Sequence, residues 1–152
     1  MRTKIEHIDE RIILFLRRAR IPFARGAIFV VFFWFGALKV AGTSAANPLV
    51  ANLLKQTLPF ISFQNFIIFF GLYEMLIGVL FLITGYERVV MPLLFFHMFT
   101  TALPLVLLPQ ITWQSFLTPT LEGQYIIKNC LIIALSISIA AGIKPLKEKR
   151  ST

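Results

Sequence analysis

Cysteine and histidine are scarce in this sequence, which has one Cys and two His among 152 residues. The single cysteine, Cys130, can form neither an intrachain disulfide nor a Cys-x-x-Cys pair, which excludes thiol oxidoreductases that work through such a pair. The histidines are His7, in a charged N-terminal segment, and His97, in an apolar run. Bis-histidine haem ligation would therefore need a dimer, and no metal-ligand motif of recognisable spacing is present. Neither haem nor a metal is favoured as a cofactor.

Charged residues are scarce as well. They make up 14% of the chain, hydrophobic residues make up 57%, and the mean hydropathy is +0.79. Soluble domains usually carry about 25% charged residues. This composition predicts an all-α membrane protein, and the length predicts one compact domain.

The net charge of +8 is concentrated at the two ends of the chain. Eleven of the fifteen basic residues flank the apolar region: Arg2, Lys4, Arg11, Arg17, Arg18, Arg20, Arg25, Lys144, Lys147, Lys149 and Arg150. This is the positive-inside pattern of membrane proteins and not a nucleic-acid-binding surface. Both termini are expected in the cytoplasm, which requires an even number of spans.

The apolar runs predict a four-helix transmembrane bundle with an N-terminal amphipathic surface helix. Residues 1–22 form that helix on the cytoplasmic face, and Pro22 begins the first span. Thr118-Pro119 is interpreted as the N-cap and first residue of the last span, and Asn47-Pro48 as the start of a short outer helix. The bundle covers 23–143, with spans at about 23–41, 62–84, 89–108 and 118–143, and 144–152 form a basic cytoplasmic tail.

Ionisable and polar residues interrupt all four predicted spans. Glu74 lies near the middle of the second, on one face with Gly71 and Gly78, and Gly36 shares a face with Lys39 in the first. An ionisable group at the centre of a membrane helix costs roughly 2.5–3.5 kcal/mol and is rarely left without a partner. We therefore expect five residues to converge on one polar site that binds a ligand: Lys39, Glu74, His97, Gln124 and Lys128.

Charge counting at this site favours a ligand. Lys39 and Lys128 face only one carboxylate, Glu74, and the surplus positive charge can be met by Glu122, by one neutral lysine or by a bound anion. A site with this charge suits an oxyanion, or the head group of a quinone as a hydrogen-bond acceptor. We expect a cavity bordered by Lys39, His97 and Lys128 and roofed by residues 47–57. The plainer alternatives are that Lys39 extends to the outer membrane surface, that His97 is a packing residue, or that the whole cluster is a structural ion-pair network.

Three segments resemble motifs of the DoxX-like superfamily. They are Leu38-Lys-Val40 with Asn47-Pro-Leu-Val50, Gly71-Leu-Tyr-Glu-Met-Leu-Ile-Gly78, and Gly123-Gln-Tyr-Ile-Ile-Lys-Asn129. Within that superfamily the chain looks most like the branch of the YkgB and reactive-chlorine-resistance membrane proteins. Asn129 stands where an acidic residue is common in the last motif.

This resemblance implies a four-helix bundle in the bacterial inner membrane. Some relatives are membrane subunits of thiosulfate:quinone oxidoreductases, which implies quinone as a cofactor. The partners to consider are the lipid bilayer and either a redox subunit or a second copy of the chain, with no nucleic acid.

Three functions follow from the sequence, and no catalytic residue is assigned. The first is quinone or small-anion binding linked to membrane redox or oxidative-stress metabolism. The second is a non-enzymatic accessory or assembly subunit of a membrane complex, with the polar cluster holding the helices together. The third is a small transporter, which four spans without an inverted repeat make the weakest of the three.

Overall fold

The computed structural model describes residues 4–143, and the chain is almost entirely helical over this range. In chain order the helices are α1 (Lys4–Val40), α2 (Asn47–Thr57), α3 (Phe63–Leu82), α4 (Glu87–Ala102), α5 (Pro104–Leu107), α6 (Pro109–Thr112) and α7 (Leu121–Ala140). Strands β1 (Trp113–Ser115) and β2 (Thr118–Pro119) form an antiparallel hairpin between α6 and α7. The predicted basic tail, 144–152, lies outside the described residues.

Four helical segments are long and apolar enough to cross a membrane: α1, α3, α4 with α5 (Glu87–Leu107), and α7. Many of their large apolar side chains are exposed, such as Trp34, Phe69 and Phe99. Exposed apolar side chains on long apolar helices are expected where lipid, not water, surrounds the protein. The composition and the helices together indicate a membrane protein.

Helix α1 differs from the prediction because it is continuous from Lys4 to Val40, with Pro22 inside it. The expected boundary at Pro22 between a separate amphipathic helix and the first span is therefore wrong. Proline removes one backbone hydrogen bond from a helix interior but does not have to end the helix. At 1.5 Å per residue, α1 is about 55 Å long, nearly twice the thickness of a bilayer's hydrocarbon layer. The location of its first turns on the membrane surface stays a prediction.

The four long helices pack in a ring in which α1 adjoins α3 and α7, and α4 adjoins α3 and α7. We call the end near Arg25 and the α3–α4 turn the turn end, and the end formed by 41–62 and 103–120 the hairpin end. The apolar core is concentrated toward the turn end and includes Ile28, Ile77, Phe81, Leu94 and Ile139. The more polar interior lies farther toward the hairpin end, where Lys39, Glu74 and His97 are buried.

The start of α7 also differs from the prediction. Thr118 and Pro119 form β2, and the helix begins at Leu121 with Thr120 as its N-cap. The Thr120 hydroxyl accepts a hydrogen bond from the Gly123 N–H at 3.2 Å. Leu117, with a φ of 55°, turns the chain between the strands. The hairpin delays the N-cap and the first helical residue by two positions, and α7 ends at Ala140, three residues before the predicted 143.

The other boundaries lie close to the prediction. Helix α3 falls within the expected 62–84 and carries Glu74 near its middle, and α2 begins at Asn47, one residue before Pro48. The third span is interrupted at Leu103, so that α4 and the single turn α5 follow each other around Pro104.

Candidate functional site

Three ionisable side chains from three helices meet in the interior. The Lys39 ammonium of α1 donates to Glu74 Oε2 of α3 at 2.7 Å, and His97 Nε2 of α4 lies 3.0 Å from Glu74 Oε1. All three residues are at least 94% buried. Each carboxylate oxygen of Glu74 therefore has its own partner, as a buried charge requires. We call Lys39, Glu74 and His97 the ionic cluster.

Two glycines explain how Lys39 and Glu74 come within reach of each other. A Cβ on Gly71 would lie 2.6 Å from the Gly36 carbonyl oxygen, and one on Gly36 would lie 2.5 Å from the Gly71 carbonyl oxygen. The backbones of α1 and α3 thus touch where any side chain would separate them. Lys39 is three residues after Gly36 and Glu74 three after Gly71, so both side chains lie just beyond this crossing on the same helix faces.

Farther along the same face of α3, Gly78 packs against α1. A Cβ there would lie 3.1 Å from the Phe33 backbone nitrogen and 3.2 Å from the Phe29 carbonyl oxygen. The three glycines singled out in the sequence, Gly36, Gly71 and Gly78, therefore all lie at the α1–α3 contact.

Aromatic rings enclose the imidazole of His97. The Phe70 ring stacks on it at 5.1 Å with an interplanar angle of 11°, and the Phe32 ring meets it edge-on at 5.1 Å. Tyr73 approaches at 6.2 Å. The Lys39 ammonium lies 5.6 Å from the centre of the Phe70 ring, within the range of a cation–π interaction. Phe70 thus contacts both Lys39 and His97, a role that the sequence analysis did not identify.

The two ring nitrogens of His97 have different surroundings. Nε2 faces Glu74, whereas Nδ1 is buried and has no hydrogen-bond partner among residues 4–143. When Glu74 is ionised, Nε2 must carry the hydrogen that joins them, which leaves Nδ1 of a neutral ring as a free acceptor. The backbone carbonyl of His97 accepts hydrogen bonds from the hydroxyls of Thr100 and Thr101, so these two polar side chains of α4 are satisfied within the helix.

A cavity of about 110 Å³ adjoins the ionic cluster. All three members of the cluster line it, together with residues from α1, α4 and α7: Val31, Phe32, Phe35, Met98, Thr101, Asn129 and Ile132. The wall thus combines a cation, a carboxylate–imidazole pair, an amide and a hydroxyl with apolar side chains. Such a wall suits a small polar group attached to an apolar body.

Gln124 and Lys128 do not join the cluster. Both are exposed on the outside of α7, and the Lys128 ammonium lies 5.1 Å from the centre of the Tyr125 ring. The next residue, Asn129, is the one that reaches the cavity. The expectation that five residues converge was therefore wrong for these two.

The position of Lys128 also changes the charge of the site. One lysine now faces one glutamate, and the predicted surplus positive charge is absent from the cluster. The expected cavity exists beside Lys39 and His97, but neither Lys128 nor a residue of 47–57 is part of its lining.

A second ion pair, partly buried, lies at the turn end and was missed by the sequence analysis. The Arg25 guanidinium of α1 pairs through Nη2 with Glu87 Oε1 and donates from Nη1 to the Phe81 carbonyl at 2.8 Å. The Gly85 N–H donates to Glu87 Oε2 at 2.9 Å. We call this group the turn-end pair. It ties α1 to the end of α3 and the start of α4; the signal for it was an acidic residue directly after the Gly85 turn.

Comparisons of the chain with protein-family models, with curated proteins and with solved structures find no match. The likeness to the DoxX-like superfamily stays a prediction. Residues 4–143 contain no group of three or more His, Cys, Asp or Glu placed to hold a metal ion. The functional argument therefore rests on the ionic cluster and its cavity.

Proposed function

We propose that this membrane protein binds the head group of a quinone, or of a similar carbonyl-bearing molecule, beside Lys39, Glu74 and His97. We further propose that this binding links it to membrane redox or oxidative-stress metabolism. The observation that carries the proposal is that all three members of the ionic cluster line one cavity. A cluster that only joined helices would have no need of a cavity beside it.

The charge balance favours a neutral ligand over an anion. The Lys39 ammonium and the Glu74 carboxylate offset each other at 2.7 Å, so an incoming anion would meet a carboxylate as well as a cation. A quinone carbonyl is neutral and needs only a hydrogen-bond donor. Lys39 uses one of its three N–H groups on Glu74, and the Asn129 amide is a second donor in the lining.

Glu74 and His97 suit proton exchange with such a head group. Their side chains are 3.0 Å apart, and both border the cavity. A quinone that gains or loses electrons also gains or loses protons, and carboxylate and imidazole side chains are groups that can accept and donate them. No catalytic residue is assigned, and electrons would come from a partner redox subunit.

The likeness to the DoxX-like superfamily supports the same proposal and extends it to the fold and location. It implies a four-helix bundle in the bacterial inner membrane, and the basic residues that flank the apolar region predict that both termini lie in the cytoplasm. The turn end then faces the cytoplasm and the hairpin end the outer side.

Labelling of intact cells tests this orientation. In a Cys130→Ser background, a membrane-impermeant maleimide should label Lys55→Cys on α2. Tyr86→Cys, exposed in the α3–α4 turn, should react only after the membrane is opened. The reverse pattern would contradict the orientation.

A non-enzymatic accessory function is the second candidate. The direct ion pairs of Glu74, at 2.7 and 3.0 Å, favour it because they hold α1, α3 and α4 together without any ligand. In that case the cavity would have no occupant of its own.

Quinone binding decides between the two candidates. Purified wild-type protein should retain co-extracted quinone and unfold at a higher temperature when a short-chain benzoquinone is added. Lys39→Met should weaken this binding at least about tenfold, which corresponds to about 1.4 kcal/mol. Lys128→Met makes the same chemical change at an exposed position and should bind as the wild type does.

Asn129→Leu provides a second variant, since Asn129 lines the cavity without belonging to the ion pairs. It should weaken binding while leaving the cluster intact. The accessory function would be favoured instead if quinone did not raise the unfolding temperature of the wild type and variants of the ionic cluster were unstable.

A further inference from the structure

The cavity beside the ionic cluster has a buried wall and an exposed rim. Lys39, Glu74 and His97 are 4–6% exposed, whereas Phe35 is 52% exposed. Val31 on α1, and Asn129 and Ile132 on α7, are partly exposed. The cavity therefore reaches the surface of the protein along the line where α1 and α7 meet. We call Val31, Phe35, Asn129 and Ile132 the mouth.

The mouth lies halfway along the helices and not at their ends. Asn129 and Ile132 are the ninth and twelfth of the 20 residues of α7. At 1.5 Å per residue they lie about 12–17 Å from the start of a helix about 30 Å long. In a bilayer, whose hydrocarbon layer is about 30 Å thick, this opening faces lipid tails and not water.

The hairpin end of the protein is closed above the cavity. Leu54, Leu108 and Thr112 are buried there. The Thr112 carbonyl accepts a hydrogen bond from the Thr120 N–H at 3.0 Å, and the backbone of α7 approaches so closely that a Cβ on Gly123 would lie 2.2 Å from that carbonyl oxygen. This close packing argues against entry of a ligand from the hairpin end.

The turn end is closed by the apolar core and the turn-end pair. Ile28, Phe81 and Val90 are at most 1% exposed, and Ile139 of α7 packs against them. Arg25 and Glu87 bind each other at the same end. Among the described residues, the lining of the cavity therefore points to the mouth, between α1 and α7, as its opening.

We infer that the ligand enters sideways from the hydrocarbon layer, between α1 and α7, and keeps an apolar tail in the lipid while its head group meets the ionic cluster. This inference rests on the proposed function and narrows its ligand class to membrane-dissolved molecules with a polar head and an apolar tail. A water-soluble anion would first have to enter hydrocarbon unpaired, at a high desolvation cost. Phe35, the most exposed residue of the mouth, is the side chain that the tail must pass.

Photolabelling in lipid nanodiscs tests the route of entry. The probe is a 1,4-benzoquinone with a ten-carbon tail that carries a diazirine next to the quinone ring, so that the photoreactive group lies at the mouth when the head group is bound. After irradiation, mass spectrometry should locate the label on residues 31–35 and 129–132, and Lys39→Met should reduce that labelling about tenfold. Lys128→Met is the matched control and should label like the wild type.

The labelling pattern separates failure of this inference from failure of the proposed function. Label that depends on Lys39 but falls on 47–57 or 113–119 would overturn lateral entry and leave head-group binding in place. Label that is independent of Lys39 at every position would overturn both. Label at the mouth that depends on Lys39 supports both.

Phe35 allows a second test that does not disturb the ionic cluster. Phe35→Ala removes a half-exposed ring from the mouth, whereas Trp34→Ala removes the neighbouring ring, which is 62% exposed and outside the lining. Unlabelled tailed benzoquinone should displace the probe about tenfold faster from Phe35→Ala than from the wild type, and Trp34→Ala should exchange at the wild-type rate. Equal exchange rates in all three proteins would overturn the role of the mouth.

Discussion

Helix α1 carries two buried cations that meet carboxylates from other helices in different settings. Arg25, at the turn end, binds Glu87 and the Phe81 carbonyl beside an apolar core. Lys39, fourteen residues farther along α1, binds Glu74, which also binds His97. Both pairs satisfy charges that would be costly if left alone in a membrane. The ionic cluster differs from the turn-end pair in that it lines the cavity of about 110 Å³, whereas neither Arg25 nor Glu87 is part of that lining.

The difference shows which of the two ion pairs is a candidate site. Both members of the turn-end pair also bind the backbone. Arg25 donates to the Phe81 carbonyl at the end of α3, and Glu87 accepts a hydrogen bond from the Gly85 N–H before α4. The turn-end pair fixes how α3 and α4 connect. In the ionic cluster, His97 Nδ1 has no hydrogen-bond partner within the described range 4–143, and Lys39 and Glu74 line the cavity. Both groups contain a buried cation paired with a carboxylate, and the cavity is the feature that marks the ionic cluster as the candidate site.

Removal of Glu74 should have the largest effect on stability. Glu74→Ala leaves the buried Lys39 ammonium without its carboxylate and should cost about 3–5 kcal/mol of unfolding free energy, or prevent accumulation of the protein. Glu74→Gln keeps an acceptor for Lys39 and should cost less. Glu122→Ala, at an exposed position on α7, is the control. Thermal unfolding of purified protein measures the effect, and wild-type stability in Glu74→Ala would show that the ionic cluster does not stabilise the fold.

Removal of Arg25 should have a smaller effect on stability and none on the ligand. Arg25→Ala loses charged hydrogen bonds to Glu87 and to the Phe81 carbonyl, worth about 1.5–3 kcal/mol. Glu87 keeps its bond from the Gly85 N–H. Arg20→Ala, at an exposed position of the same helix, should change stability by less than about 0.5 kcal/mol. If folded Arg25→Ala protein lost binding of the tailed benzoquinone, the contrast between the two ion pairs would be wrong.

Substitutions at two glycines test the close crossing of α1 and α3. Gly71→Ala places a methyl group against the Gly36 backbone and should cost about 1–3 kcal/mol, because the helices must separate. It should also weaken quinone binding, since separation moves Lys39 away from Glu74. Gly26→Ala meets no atom within 4 Å and should stabilise α1 by up to about 1 kcal/mol. Equal melting temperatures for the two variants would contradict the close crossing.

Position along a helix was easier to predict from the sequence than direction around it. The apolar runs gave four long helices, and the cost of unpaired charge in hydrocarbon indicated that Lys39, Glu74 and His97 should meet, as they do. The same argument placed Lys128 with them. Consecutive residues of a helix differ by about 100° in direction, and packing turns Asn129, not Lys128, toward the cavity.

Local signals failed where packing over longer distances decided the structure. Pro22 was expected to separate two helices, yet α1 continues through it. Thr118-Pro119 has the chemistry of a helix start, but pairing with Trp113–Ser115 makes it a strand. The turn-end pair joins residues 62 positions apart. The cavity and its mouth arise from gaps between α1, α4 and α7, which no local pattern encodes.

The smallest effect on stability is expected for Lys128→Met, and it tests the contrast between the two intramembrane lysines. Lys128 is exposed on α7 beside the Tyr125 ring and forms no ion pair with Glu74. Its loss should therefore change unfolding free energy by less than about 0.5 kcal/mol. Lys39→Met removes the 2.7 Å partner of Glu74 and should cost about 1.5–3 kcal/mol in the absence of ligand. Thermal unfolding of both variants without quinone measures this difference. A large loss in Lys128→Met would mean that the lysine turns inward and joins the ionic cluster in the membrane, which would restore the surplus positive charge and with it the case for an anionic ligand.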